Sequence, residues 1–132
     1  MIGVDTNVLV RLFVVDNPRQ SEVAGQFFAS RSSANPAFVS LVVVAELVWL
    51  LNDTYDFSHA AIVGVLDKLL ASPDFALEHH EFVSDAVMMA QQKKIDIADF
   101  LIARTAVANG SRATVTFDQN AAKSIPGMEL LK

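Results

Sequence analysis

The sequence predicts an α/β fold in which a mainly parallel sheet is covered by helices on both faces. Short apolar segments of strand length alternate with segments in which apolar residues recur every three or four positions. Such alternation indicates parallel strands joined by crossover helices. The 132 residues contain no repeat, linker or low-complexity tract. We therefore expect a single domain over residues 1–132.

The N-terminal segments predict a strand, a helical turn and a helix. Residues 1–5 are apolar enough for a short buried strand, and Thr6 suits the N-cap of the helical turn that follows. An Asn-Pro pair then predicts the start of an amphipathic helix over residues 18–31. Its spacing places Val23, Phe27 and Phe28 inward.

The middle of the chain predicts two strands and two helices. Residues 37–39 read as a strand, and Ser40 suits the cap of a helix that runs to about residue 51. Helical spacing predicts a further helix over residues 58–70. A Ser-Pro pair separates that helix from a strand over residues 75–77.

The last third of the chain continues the alternation. Helices are predicted over residues 82–94 and 97–109, the second ended by an Asn-Gly pair. Alternating residues predict a strand over 113–117, one or two helical turns follow over 118–124, and an edge strand is predicted over 128–131.

The composition favours a protein of the cytoplasm that associates with a partner. Hydrophobic residues make up 52% of the chain and charged residues 19%, which leaves more apolar surface than one monomer easily buries and favours a homodimer. No apolar stretch reaches the roughly 18 residues of a membrane span, and Asp5 and Asn7 interrupt any signal-peptide core. The absence of cysteine excludes disulfides and thiolate sites.

The formal net charge of −5 argues against general attraction to nucleic acid. That argument fails if several acids are gathered in one site and neutralised there by divalent cations. The positions of the acids along the chain therefore matter more than their sum.

Four acids lie among apolar residues. Asp5 ends the first predicted strand, Glu46 interrupts VVVAELVWLL, Asp99 follows IDIA, and Asp118 follows ATVTF. Ligand crevices of parallel sheets form at the carboxyl ends of strands, where Asp5 and Asp118 both fall. We therefore expect these two to be neighbours. The apolar sequence around Asp5 and Glu46 predicts that neither has a solvated face.

Each acid also has an ordinary structural interpretation. Asp5 could cap the helix that follows it, and Glu46 could pair with one arginine. Asp99, or Asp96 before it, could place charge in the first turn of a helix. Asp118 could be a turn residue.

The chemistry of a gathered acid set points to a divalent cation. Four carboxylates brought together repel one another strongly unless a cation compensates them. Oxygen ligands with no histidine or cysteine nearby select Mg²⁺, with Mn²⁺ as a substitute, over zinc. Because Mg²⁺ completes its coordination with solvent and substrate phosphates, such a site favours metal-assisted hydrolysis of phosphodiester bonds.

Four blocks of the sequence, in order, resemble the PIN-domain ribonucleases of the VapC toxin type. These blocks are VDTNVLVRLF, AELVWLL, DIADFLIARTAVANG and VTFD, and the resemblance spans nearly the whole chain. It implies a PIN-like three-layer α/β/α sandwich around the parallel sheet. It also implies an endoribonuclease that depends on Mg²⁺ or Mn²⁺, with RNA as substrate.

The resemblance assigns the site residues position by position. It implies Asp5, Glu46 and Asp99 as catalytic metal ligands, with Asp118 as the fourth. The polar residues that would hold the site or its waters are Thr6, Asn7 and Thr116. Asp96 lies one helical turn before Asp99 and either joins the site or serves only the helix N-terminus. Arg11 either pairs with a site carboxylate or contacts a substrate phosphate, and we favour a structural role.

The resemblance further implies a homodimer inhibited by a cognate antitoxin, whose tail would place a basic side chain in the acidic pocket. Other functions stay open at this stage. One is a housekeeping RNA-processing nuclease with the same chemistry, and another is a non-catalytic module that binds a partner. A phosphatase with Asp5 as nucleophile, like the haloacid-dehalogenase enzymes, is disfavoured because Asn7 occupies the position of its second acid.

Overall fold

The computed structural model describes residues 1–132, which divide into two compact units, residues 1–80 and 81–132. The prediction of one domain is not tested by this division and stays a prediction. All strand pairs in both units are parallel, so the predicted α/β class with parallel strands is confirmed. No helix combines the length and apolar character that crossing a bilayer requires.

Unit 1 contains a three-stranded sheet in the order β1-β2-β3, with four helices in its sequence. The central strand β2 pairs through Ala37 with Ile2 on one side and with Phe75 on the other. The elements are β1 (Ile2–Gly3), α1 (Thr6–Leu9), a 3₁₀ turn (Val10–Leu12), α2 (Pro18–Ala29), β2 (Ala37–Val39), α3 (Leu41–Asp53), α4 (His59–Ala71) and β3 (Phe75–Leu77).

Serine caps and an apolar core fix the helices of unit 1. The Ser40 hydroxyl accepts a hydrogen bond from the Val43 amide, as predicted, and Ser58 caps α4 in the same way. The core beneath them contains side chains that are fully buried, among them Leu9, Val39, Val44, Leu47 and Leu51. Burial of this apolar surface is what holds α1 and α3 in place.

Unit 2 contains a pair of parallel strands and three helices. Gly110 adopts a left-handed conformation (φ 93°) immediately after the cap residue Asn109, which explains why the Asn-Gly pair ends the helix before it. The elements are α5 (His80–Gln92), α6 (Ile97–Ala108), β4 (Thr114–Thr116), α7 (Gln119–Ser124) and β5 (Met128–Leu130).

The predicted burial of the first strand is wrong. Strand β1 has two residues, and Ile2 is 47% exposed while Val4 is buried. The reason is topological, because β1 is the outer strand of its sheet and pairs with β2 only. The predicted cap is also corrected: Asp5, and not Thr6, is the N-cap of α1.

Two further predictions of helix burial need correction. On α2, Val23 was expected inward but is 59% exposed, whereas Phe28 is buried as predicted and Phe27 is half-buried. On α3, Glu46 lies on an exposed face together with Val42 and Trp49, so the carboxylate does have a solvated position. Hydrophobicity on all sides of a helix does not show which side packs, and α3 packs through Leu47 and Leu51.

Candidate active site

The backbone after β1 places Asp5 at the start of α1. Asp5 is extended (φ −82°, ψ 157°), and its Oδ1 accepts a hydrogen bond of 2.8 Å from the Thr6 amide. The ordinary interpretation of Asp5 as a helix cap is therefore correct. The cap uses one carboxylate oxygen, and the residue is exposed. The other oxygen can still accept a ligand.

Thr6 connects Asp5 to Glu46. Its side chain is 7% exposed, which makes it the buried polar residue of the core. Its hydroxyl donates a hydrogen bond of 2.8 Å to Oε1 of Glu46, while its amide donates to Asp5. One threonine thus holds two carboxylates that lie 41 positions apart, one on α1 and one on α3.

Arg11 pairs with a residue that the sequence did not suggest. Its guanidinium donates to Asp16 Oδ1, and Tyr55 donates a hydrogen bond of 2.7 Å to Asp16 Oδ2. The Arg11 side chain is 13% exposed. This network supports the structural role that we favoured, although the partner is Asp16 and not a site carboxylate. Arg11 also lines a groove together with Asp5 and Asn7.

Changing Tyr55 to phenylalanine tests this network. The Tyr55 hydroxyl lowers the pKa of Asp16 below its ordinary value of 3.8, with a further contribution from Arg11. We expect the pKa of Asp16 to rise in Tyr55→Phe, as measured by NMR titration of its carboxyl carbon.

The pH dependence of stability in this variant follows from the lowered pKa. A carboxylate whose pKa is lower in the folded protein than in the unfolded chain stabilises the fold at pH values above its unfolded-state pKa. This contribution is lost as the pH falls through the folded-state pKa. The difference in free energy of unfolding between the native chain and Tyr55→Phe should therefore become smaller as the pH falls. A difference that widens as the pH falls would contradict the assignment.

Three acids of unit 2 lie around one small cavity of about 80 Å³. Asp96 caps α6, and its Oδ1 accepts a hydrogen bond of 2.9 Å from the Asp99 amide. Asp118 follows β4 and caps α7 through a hydrogen bond of 3.0 Å from the Ala121 amide. The Thr116 hydroxyl accepts a hydrogen bond from the Asp118 amide, and this bond fixes the turn between β4 and α7.

Asp99 is a half-buried acid beside two other carboxylates. Burial raises the pKa of Asp99 above its ordinary value, and the neighbouring carboxylates Asp96 and Asp118 raise it further. A half-buried carboxylate in such surroundings is a frequent feature of functional sites. A bound cation would remove both causes of the raised pKa, because it would replace lost solvation and screen the neighbouring charges.

The structure thus brings the predicted residues together in two groups, one in each unit. Asp5, Thr6 and Glu46 are joined by hydrogen bonds in unit 1. Asp96, Asp99 and Asp118 interact electrostatically in unit 2, with Thr116 bonded to Asp118. Sequence reasoning missed the hydroxyl bond to Glu46 and the role of Asp16. A threonine within an apolar helical turn was the available signal for the first.

The residues fit a hard divalent cation by their chemistry. Their donors are carboxylate and hydroxyl oxygens, and the chain has no cysteine, so the set suits Mg²⁺ or Mn²⁺. Neither unit by itself gathers three or more histidine, aspartate or glutamate side chains in an arrangement that could hold a metal ion. The full set of ligands therefore stays a prediction.

Comparison with protein families identifies the family of this chain. The family model described as PIN domain matches residues 2–125, which is nearly the whole chain. A comparison with curated proteins gave no match. The family match agrees with the parallel strands and confirms the predicted α/β sandwich of PIN type. PIN domains are generally nucleases, and they typically use divalent metals. With its acids placed at the ends of β1 and β4 and on α3 and α6, this chain belongs to the PIN domain family.

Proposed function

We propose that this protein is an endoribonuclease of the VapC type, dependent on Mg²⁺ or Mn²⁺, and the toxin of a toxin–antitoxin pair. The observation that carries the proposal is the double hydrogen bond of Thr6, which holds Asp5 and Glu46 together. A threonine that donates to two carboxylates at once leaves their remaining oxygens available for a ligand. The PIN family match supports a nuclease.

The proposed metal ligands are Asp5, Glu46, Asp99 and Asp118. A cation bound there would activate water for attack on the phosphodiester and would stabilise charge on the leaving oxygen. Thr6 orients the carboxylates of Asp5 and Glu46, as residues behind metal ligands commonly do.

The other polar residues of the proposed site have supporting roles. In unit 2, Asp96 fixes the first turn of α6, on which Asp99 lies. Thr116 fixes the turn that carries Asp118. Asn7 lines the same groove as Asp5. Its side-chain amide would bind solvent or substrate.

Removal of the metal tests the catalytic proposal. Purified protein should cut single-stranded RNA internally in Mg²⁺ or Mn²⁺, lose activity in a chelator, and recover it when Mn²⁺ is restored in excess. The physical reason is that carboxylates alone supply no electrophile for the phosphate. Cleavage that persists unchanged after exhaustive chelation would contradict the mechanism. Failure to bind Mn²⁺ in a titration would favour a non-catalytic module.

The biological role requires a separate experiment. Expression in a bacterial cytoplasm should arrest growth, and co-expression of a neighbouring open reading frame that encodes a small DNA-binding antitoxin should relieve the arrest. A housekeeping nuclease would leave growth unaffected. The net charge of −5 is compatible with a partner that supplies a basic side chain to the acidic site.

A homodimer is part of the same proposal. Several large apolar side chains are exposed in the structure, including Met88, Val115 and Phe117. Exposed apolar side chains are typical of surfaces that associate. Sedimentation of the purified chain at several concentrations would measure its mass directly.

A further inference from the structure

A groove between α1 and α2 in unit 1 begins beside Asp5. Most of its lining residues are not part of the proposed metal site. Its volume is about 620 Å³, which lies in the ordinary range of ligand pockets. Most of the surface of this α1–α2 groove is apolar, and polar groups line the smaller part. The residues that matter below are Asp5, Asn7, Arg11, Arg19, Gln20 and Phe27.

Positive charge is concentrated around this groove. Unit 1 has four basic residues, namely Arg11, Arg19, Arg31 and Lys68. Arg11 and Arg19 line the groove, and the Arg31 guanidinium lies 4.7 Å from the ring centre of Phe27, which also lines it. Arg11 is paired with Asp16, and Asp5 also lines the groove. Arg19 therefore supplies the positive charge that favours an anionic occupant at this place.

Two of these arginines, Arg11 and Arg31, have an unused Nε donor, and Arg11 is the one that lines the groove. The Nε of Arg11 is buried and has no hydrogen-bond partner, although the same guanidinium pairs with Asp16. A buried donor without a partner costs free energy, and native structures usually provide one. A ligand oxygen in the groove could satisfy it.

The remaining lining suits a nucleobase better than a phosphate alone. Phe27 is half-buried, and Val23, which is 59% exposed, lies beside it on the same wall. Such a wall can pack against the face of a base, as aromatic side chains do in single-stranded RNA complexes. The amides of Asn7 and Gln20, also in the lining, can bond to the edge of a base.

We propose that the α1–α2 groove binds the RNA nucleotide next to the bond that is cut, with its base against Phe27 and its phosphate against Arg11 and Arg19. This inference rests on the proposed function, because RNA must be the substrate. The location follows from Asp5, which is both a proposed metal ligand and part of the groove lining. A basic protein tail is disfavoured as the occupant because the arginines would repel it.

Charge reversal at Arg19 tests the groove. Arg19 lies in the first turn of α2, where an acid is favourable to the helix, so Arg19→Glu is expected to fold. The matched control is Lys68→Glu, which reverses the fourth basic charge of unit 1 on an exposed position of α4. Both changes are made in an Asp99→Asn background, so that RNA is bound without being cut. Binding of a short fluorescent single-stranded RNA is then measured by anisotropy over a range of salt concentrations.

We expect Arg19→Glu to weaken RNA binding about tenfold or more. The logarithmic slope of its salt dependence should fall by about 0.7 for each phosphate that is no longer neutralised. Lys68→Glu should stay close to the Asp99→Asn reference. As a second readout, RNA that carries 4-thiouridine should crosslink in that reference to the tryptic peptide 20–31, which contains Gln20 and Phe27.

The outcomes separate this inference from the proposed function. If the native chain cuts RNA, but Arg19→Glu binds like Lys68→Glu and crosslinks map outside residues 20–31, the groove assignment is wrong and the nuclease stands. If the native chain neither cuts nor binds RNA, both proposals fail. An acidic peptide that occupies the groove while RNA does not displace it would also overturn the assignment.

Discussion

Replacement of Asp99 by asparagine is expected to lower the rate of RNA cleavage by about 10²–10³-fold, the typical cost of removing one group that stabilises charge in an active site. The same change should make the fold more stable at neutral pH. Asp99 is half-buried, and burial and the carboxylates of Asp96 and Asp118 raise its pKa. Asparagine has nearly the same shape and no charge, so both penalties disappear.

The sign of the pH dependence follows from the raised pKa. Because the folded protein holds the Asp99 proton more tightly than the unfolded chain does, the ionised carboxylate costs stability at pH values above its folded-state pKa. That cost decreases as the pH falls through the folded-state pKa and is absent below the unfolded value. The gain in Asp99→Asn, about 0.5–2 kcal/mol by analogy with optimised surface charges, should therefore be largest at neutral pH and vanish in acid.

The measurement is denaturant unfolding in a chelator, followed by the same titration with Mn²⁺. A cation that binds the native state stabilises it by mass action, so Mn²⁺ should stabilise the native chain more than Asp99→Asn. Asp74→Asn is a suitable control, since Asp74 is also half-buried but lies immediately before β3 and is not one of the residues of the proposed site. Near-native cleavage by Asp99→Asn would remove this residue from the mechanism.

Replacement of Thr6 by valine should lower cleavage about 10–100-fold, as changes behind metal ligands commonly do. Valine keeps the shape of threonine and removes only the hydroxyl that donates to Glu46. Hydrogen bonds to charged groups contribute about 1.5–3 kcal/mol. Because Glu46 is exposed, water can replace the lost hydrogen bond. We therefore expect the free energy of unfolding to fall by about 1 kcal/mol.

Thr6→Ser separates the hydroxyl from the packing in this experiment. Serine restores the donor and loses only the methyl group, so cleavage should return towards the native rate. A Thr6→Ser variant as inactive as Thr6→Val would show that the packing of the methyl group, and not the bond to Glu46, is what matters. Cleavage rates and unfolding midpoints of both variants decide between these possibilities.

Local signals in the sequence located most elements. Strands over 37–39 and 75–77 are found where they were predicted, because turn residues bound both apolar segments. The cap at Ser40 was also predictable, since serine precedes an apolar helical segment. What the sequence could not show is which strand lies at the sheet edge. The exposure of Ile2 depends on that pairing, which is decided by residues 37–39 and not by the first strand itself.

The candidate site was predictable in its residue types but not in its connections. Asp5 and Asp118 were recognisable because each follows a strand segment, and the structure places both at such ends. The link from Thr6 to Glu46 joins residues 40 positions apart, and only packing of α1 against α3 creates it. The contacts of Asp16 with Arg11 and Tyr55 could not be predicted either. They form because the turn that carries Asp16 packs against the end of α3.

The capping role of three acids has a genetic consequence. Asp5, Asp96 and Asp118 each hold a helix start with one oxygen, and asparagine performs that task as well as aspartate. A single base substitution converts an aspartate codon into an asparagine codon. Under the proposed function, one transition at the codon of Asp5 or Asp118 would therefore remove a proposed metal ligand while the helix cap, and with it the fold, is kept.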